Sequence, residues 1–257
     1  MLRICQLGSG SRGNALYLES ANARILVDAG FSGAELGRRL RLIGAAPERL
    51  TALVITHEHV DHVRGAGVMS RKYRIPVFVT EATLNSMSDS AGALHETCLF
   101  RPGESFRIQD LQFRPFVCSH DAADPVNFSI SCGKSRLGVA TDLGHVTALV
   151  RSHLQHCQAL IVETNHDPFL LRGSSYPPAV IQRISSRFGH LSNEQGAELV
   201  ASVNHRDLKY LFLAHLSETN NHPEKAYRAV DLVLGGKGHR PEITLCTQDR
   251  PSSVISL

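Results

Sequence analysis

Six consecutive residues, His57-Glu58-His59-Val60-Asp61-His62, place three imidazoles and an acidic ligand directly after the apolar run LVIT. In an extended segment residues i and i+2 point the same way, so His57 and His59 can grip one cation. A turn into a helix beginning near Val63 would swing Asp61 and His62 toward a second. Four nitrogen and oxygen donors at this spacing suit two adjacent divalent metals of borderline hardness.

Further polar residues fall at the ends of apolar, strand-like runs: Asp28, His120, Asp142, Glu163 and His215. Side chains there are positioned by a rigid scaffold yet open to a cleft, the pattern expected of a metal or catalytic site along one sheet edge. His190 stands apart. It precedes Ser192, whose spacing to Gln195 reads as a capping box, and a helix N-terminus attracts phosphate oxygens while a nearby imidazole can protonate a leaving oxygen. For substrate contacts, Ser9, Ser11 and Asn14 in GSGSRGN offer hydroxyls and backbone N–H groups, or simply form a glycine turn. Arg172, Tyr176, Arg183 and Arg187 precede His190 and offer a phosphate-binding face, or an ordinary solvated helix. Among the other histidines, His95, His153, His156, His205 and His239 read as surface residues, and His222 before Pro223 as a helix start. His145 and His166 flank the motifs, where a cleft role and a plain loop role compete.

The elements that must position these groups are short. Strands are expected at 2–7, 14–19, 24–28, 52–56, 76–79, in a series between 98 and 141, and at 159–164, 210–214 and 243–246. Helices are expected near 33–43, 63–73, 146–154 and 178–187, from 193, and over 223–234. Early hairpins followed by β-α alternation argue for an α/β fold with two sheets and helices on their outer faces. At 257 residues, with 42% hydrophobic and 20% charged residues, the chain is expected to form one domain, 1–257. Without a signal-like start or a membrane-length apolar run, the expected setting is the cytoplasm, with no membrane partner. The six cysteines lack CxxC spacing, which argues against a zinc ribbon or a disulfide framework. Net charge is +3, with 22 arginines against 5 lysines, mild support for an anionic substrate.

HEHVDH resembles the HxHxDH signature of the metallo-β-lactamase superfamily. LGSGSRGNALYLE, LVDAG at 26–30, SHDAADPV at 119–126, ATDLG at 140–144, VETNHD at 162–167, GHLSNEQ at 189–195 and AHLSETNNHP at 214–223 resemble, in order, the successive motifs of its YycJ/WalJ-like branch. That resemblance implies an αββα sandwich and a metal-dependent exonuclease or phosphodiesterase. It implies one ion held by His57, His59 and His120 and a second by Asp61, His62 and His215, with Asp142 bridging them. A bridging hydroxide between two cations (Mn²⁺ or Zn²⁺) would complete a net positive centre suited to an anionic phosphodiester. Asp28 resembles the buried acid that orients the ligand loop, though an Asp closing a turn before Gly30 is the competing reading. Glu163, His190 and His215 match the motif order of phosphodiesterase members, which makes His190 the general acid and Glu163 its orienting partner. The reverse assignment, with His190 on the metal and His215 as the acid, is the alternative.

Asp142 stands where lactam-hydrolysing members usually carry Cys, and only 20 residues separate it from Glu163, too few for the inserted domain of β-CASP nucleases. No Gly/Pro-rich arm of the transfer-RNA-processing type stands out. The segment YPPAVIQR departs from the branch's YP-x-x-L-K-x-R pattern and lacks its Lys. The resemblance to the YycJ/WalJ-like branch implies hydrolysis of a polynucleotide, DNA before RNA, as an exonuclease with 5′-to-3′ polarity. A small-molecule cyclic phosphodiesterase of the phosphonate-breakdown type, a glyoxalase-type thioesterase and a non-catalytic metal-dependent regulatory protein are the alternatives.

Overall fold

A computed structural model describes residues 1–87, 91–236 and 238–257. The first sheet joins β1 (Arg3–Gly8), β2 (Ala15–Glu19), β3 (Arg24–Val27), β4 (Ala52–Val54), β5 (Pro76–Val79) and β6 (Glu96–Leu99), with the C-terminal β14 (Ile255–Ser256) beside β1. The second joins β7 (Phe106–Ile108), β8 (Leu111–Val117), β9 (Val126–Cys132), β10 (Ser135–Ala140), β11 (Ala159–Glu163), β12 (Tyr210–Ala214) and β13 (Glu242–Leu245) in sequence order. In each sheet an antiparallel part meets a parallel one, the switch falling at β3/β4 and at β10/β11.

Alternation explains the layering. Along β2, Leu16 and Leu18 enter the core between the sheets while Ala15 and Tyr17 face outward. Along β12, Phe212 and Ala214 face inward while Leu211 and Leu213 face out. Successive side chains point to opposite faces, so strands apolar on both faces need covering on both. The outer cover of the first sheet is α1 (Gly33–Leu42) and α3 (Ala66–Tyr73), which contribute Leu36, Leu40 and Met69. That of the second is α5 (Ala148–Leu154), α8 (Asn193–Val203) and α9 (Pro223–Leu234), contributing Val150, Leu199 and Val230. The result is the expected αββα sandwich.

Several boundaries differ from expectation. The helix anticipated over 63–73 is two pieces, α2 (Val60–Val63) and α3, because Gly65 must press against the loop after β3. Its N–H bonds Ala29 O at 2.8 Å, and a Cβ there would stand 2.3 Å from Phe31 O. β4 stops at Val54, two residues early, since the Thr56 N–H turns to the Asp28 carboxylate instead of a neighbouring strand. Short helices α4 (Glu81–Ser86) and α6 (Pro168–Arg172) were not anticipated, and α7 (Pro178–Ser185) ends before 187. The capping box at α8 is present, with Ser192 and Gln195 bonded reciprocally. The six cysteines are free.

His95 and His156 are exposed as expected, but the other three supposed surface histidines are half-buried. His153 stacks on Phe116 at 4.6 Å between ring centroids, and His205 and His239 bond the carbonyls of Cys157 and Leu208. Each lies at an interface between secondary elements that periodicity alone does not reveal. Among the described residues, no helix is long and apolar enough to cross a membrane.

Candidate metal centre

The strand ends of both sheets converge on one cluster. From the first sheet come Asp28, after β3, and His57, His59, Asp61 and His62, between β4 and the first turn of α2. Backbone hydrogen bonds lace these loops together: Ala29 N–H to His62 O at 2.7 Å, Asn14 N–H to Asp61 O at 2.8 Å and Gly30 N–H to Asn14 O at 2.9 Å. Gly30 is required there, because a Cβ would stand 1.7 Å from Asp61 O. From the second sheet come His120, between β8 and β9, Asp142 after β10, Glu163 at the end of β11, His190 before α8 and His215 after β12.

Three of these residues, Asp28, Asp142 and His215, hold φ of 64°, 54° and 56°. A left-handed conformation costs a non-glycine residue roughly 1–2 kcal/mol, and here it lets each strand end turn its side chain into the cluster. Residue types and spacing carry no trace of this strain.

All of these side chains but Asp28 form overlapping sets. His57, His59 and His120 present three nitrogens within 4.8 Å of one another, and Asp61, His62 and His215 a second trio. Asp142 stands between them: its Oδ2 is 3.4 Å from His62 Nε2, and its Oδ1 is 3.3 Å from His215 Nε2 and 3.9 Å from His120 Nε2. Asp142 also groups with Glu163, His190 and His215. Every expected ligand is thus brought to one place.

The donor set fits cations. Buried His57 Nε2, Asp142 Oδ2 and His215 Nε2 have no hydrogen-bond partner. Other imidazoles are held from behind: His62 Nδ1 donates to Asp28 at 2.8 Å, His120 Nδ1 to Gly189 O at 3.1 Å and His59 Nε2 to Asp121 O at 3.2 Å. Each such bond fixes a tautomer and leaves the opposite nitrogen free to ligate.

Electrostatics agree. Burial depresses His57 far below the usual imidazole range, and the neighbouring histidines depress it further. Burial also opposes charge on His62, but Asp142, Asp28 and Asp61 outweigh it and hold that imidazole near 9. At His215, burial is likewise outweighed, by Asp142, Asp61 and Glu163, and its pKa is raised well above the ordinary value. Burial pushes Asp61, Asp142 and Glu163 up, yet the surrounding imidazoles bring all three below the ordinary carboxylate range. The carboxylates demand positive charge at the points where the expected ligands converge. A divalent metal centre meets that demand.

Glu163, fully buried, accepts from four sides. Oε2 takes the N–H groups of Leu143 and Leu191 at 3.0 Å each, while Oε1 lies 2.8 Å from His190 Nδ1 and 3.2 Å from His215 Nδ1. Ser9 and Asn14 are also buried. Ser9 Oγ accepts the His215 N–H at 2.8 Å, and Asn14 Nδ2 reaches Asp61 Oδ2 at 3.2 Å, so their polar atoms brace ligands. Ser11 is exposed on the same loop, as are Arg172, Arg183 and Arg187 on the segment before His190, where Tyr176 is half-buried. Arg183 pairs with Asp121, whose Oδ1 is 3.5 Å from His120 Nε2. His145 bonds Arg187 from the rim, whereas His166 is buried behind the site.

Three contributors went unnoticed in the sequence. Thr56 bridges Asp28 and the ring nitrogens of His57 and His62 through its hydroxyl, Asn165 holds the His215 carbonyl at 2.8 Å, and Gln248 bonds Gly13 O and Arg12 N–H. Thr56, adjacent to the first histidine, and Asn165, inside VETNHD, carried a positional hint, whereas Gln248 carried none.

A profile of the beta-lactamase superfamily domain matches residues 23–215. The chain is 35% identical over 239 residues to the protein named exodeoxyribonuclease YycJ of Bacillus anthracis, covering 92% of this chain and 90% of that one. It is 37% identical over 225 residues to exodeoxyribonuclease WalJ of Streptococcus pneumoniae serotype 2 strain D39, covering 86% and 84%. Among solved structures, the metallo-beta-lactamase fold protein YhfI of Bacillus subtilis superposes with a TM-score of 0.77 over the whole of both chains at 15% identity, a likeness of fold. With the fold, the site and these matches in agreement, the chain belongs to the beta-lactamase superfamily, in the branch of YycJ and WalJ.

Proposed function

We propose that this protein is a metal-dependent phosphodiester hydrolase acting on DNA from a 5′ end in the cytoplasm, with two divalent cations, manganese or zinc, in its centre. The observation that carries the reading is the pairing of two ligand trios around Asp142 with a histidine, His190, held alongside by a fully buried carboxylate. The names of the relatives, both exodeoxyribonucleases matched over most of their length, support DNA as the substrate.

His57, His59 and His120 would hold one cation and Asp61, His62 and His215 the other, with Asp142 shared. Cations so bound supply Lewis acidity, lowering the pKa of water and drawing the non-bridging phosphate oxygens. The remaining work falls to the protein. Asp28 fixes the His62 tautomer through Nδ1, and Ser9 and Asn14 brace His215 and Asp61. Glu163 accepts the Nδ1–H of His190 and orients the ring, so that the doubly protonated imidazole turns its Nε2–H to the departing oxygen. Ser11, Arg172, Tyr176, Arg183 and Arg187 would contact the strand.

The test is hydrolysis of 5′- and 3′-labelled DNA and RNA oligonucleotides and of a cyclic ribose phosphate. It uses metal-stripped protein restored with Mn²⁺ or Zn²⁺, and elemental analysis of the replete protein. Stepwise release of nucleotides from the 5′ end of DNA, with two ions per chain, is the expected result. Turnover of the cyclic phosphate alone, or fewer than one ion per chain, overturns the reading. His190→Ala should retain its metal and lose activity by about 10²–10⁴-fold.

A further inference from the structure

The segment between Asp167 and Glu194 carries three arginines, two phenylalanines and a tyrosine, and no carboxylate in its 26 residues. It spans α6 and α7, and α7 buries none of its residues fully. Its last loop is nonetheless fixed. Gly189 O accepts from His120, the His190 N–H bonds Ile184 O at 2.9 Å, and Arg187 O accepts from Ser119 and His145. A Cβ on Gly144 would stand 2.2 Å from Arg187 O, so this backbone lies against the loop of Asp142.

Phe188 projects from that rigid loop with 61% of its surface exposed, two residues before His190. A lone exposed apolar side chain is ordinary; this one sits one residue from the carbonyl that holds His120. Beside it, an Arg187 Nη donates to His145 Nε2 at 3.2 Å. Guanidinium can only donate, so His145 Nε2 is the acceptor and its Nδ1 faces Arg187 O at 3.2 Å. Arg187 has no carboxylate partner among the described residues. At the far end of the segment an arginine stands over a ring: Arg172 lies 4.8 Å from the ring of Phe169, itself 77% exposed.

Resting on the phosphodiesterase reading, we propose that Phe188 is the stacking platform for the unpaired nucleobase attached to the phosphodiester being cut, with Arg187 on the adjoining phosphate. Aromatic faces accept any base, and arginines track the backbone, which is the chemistry of single-strand gripping without sequence choice. The absence of acid along the whole segment complements a polyanion.

The chain has no tryptophan, so Phe188→Trp introduces a single reporter. Its emission in the metal-loaded protein should be quenched by a hydrolysis-resistant phosphorothioate oligonucleotide, and scarcely by a strand of equal length abasic throughout. With cleavable strands, the wild-type enzyme should lose about tenfold in kcat/KM on the abasic strand, while Phe188→Ala treats the two alike. Equal quenching by both strands, or equal wild-type turnover of both, overturns the platform alone. Failure of the wild type to cut any polynucleotide in either metal overturns the underlying reading instead.

Discussion

Replacing Asp28 with Asn isolates one hydrogen bond. Asp28 Oδ1 accepts the Thr56 N–H at 2.9 Å, and Oδ2 accepts from His62 Nδ1 at 2.8 Å. Asn tolerates the φ of 64° much as Asp does, so backbone strain is unchanged. The Thr56 N–H can only donate and claims the amide oxygen, which leaves the amide NH₂ facing His62. Either two donors then oppose each other, or the imidazole moves its proton to Nε2, the atom 3.4 Å from Asp142. The first outcome forfeits a bond to a charged acceptor, about 1.5–3 kcal/mol, and the second removes a ligating lone pair. Both predict a fall of about 10–100-fold in cation affinity. Competition for Zn²⁺ or Mn²⁺ against a chromogenic chelator measures this directly, with circular dichroism confirming the fold. An intact protein whose affinity stays within about twofold of wild type refutes the reasoning.

Glu163→Gln should lower kcat by about 10²-fold or more, because an amide NH₂ must face either His190 Nδ1 or the Leu143 and Leu191 N–H groups; steady-state kinetics on a labelled strand check it. Gly30→Ala drives a methyl group into Asp61 O and should cost at least about 1–3 kcal/mol and weaken the cation site that Asp61 would complete, read by thermal melting and by metal stoichiometry. Hydrogen bonding from Arg38, with added help from Arg39, lowers Glu35 to about 2 despite partial burial. Its contribution is therefore full above the unfolded carboxylate range and lost as pH falls toward 2. The melting difference between wild type and Glu35→Gln should correspond to about 1 kcal/mol near neutrality and shrink steadily below pH ~4.5.

Much of this architecture was legible because the strands alternate cleanly: β2, β5 and β12 match expectation to within a residue. Ser192 and Gln195 marked the start of α8, since a capping box is a local device. Polar residues at the strand ends stood out as candidates because imidazoles and carboxylates gather there for few other reasons, and the family resemblance supplied their division into ligand sets. What stayed hidden was non-local. The break at Gly65 answers to Ala29 O, and the early end of β4 answers to Asp28. Ser9 and Asn14 looked like groups reaching for a substrate, but the chain folds a second loop over them and spends their hydrogen bonds on Asp61 and His215. The importance of Thr56 depends on three partners that only the folded loops assemble.

The donors divide between the two halves of the sandwich, Asp28 through His62 on one and His120 through His215 on the other. Neither half owns a complete set, since the first trio borrows His120 and the second borrows His215. A cation gripped from both flanks would act as a rivet through the seam. Its loss would loosen the halves at their open rim while each kept its own hydrophobic backing, so slackening along that seam would disarm the enzyme well before either half came apart.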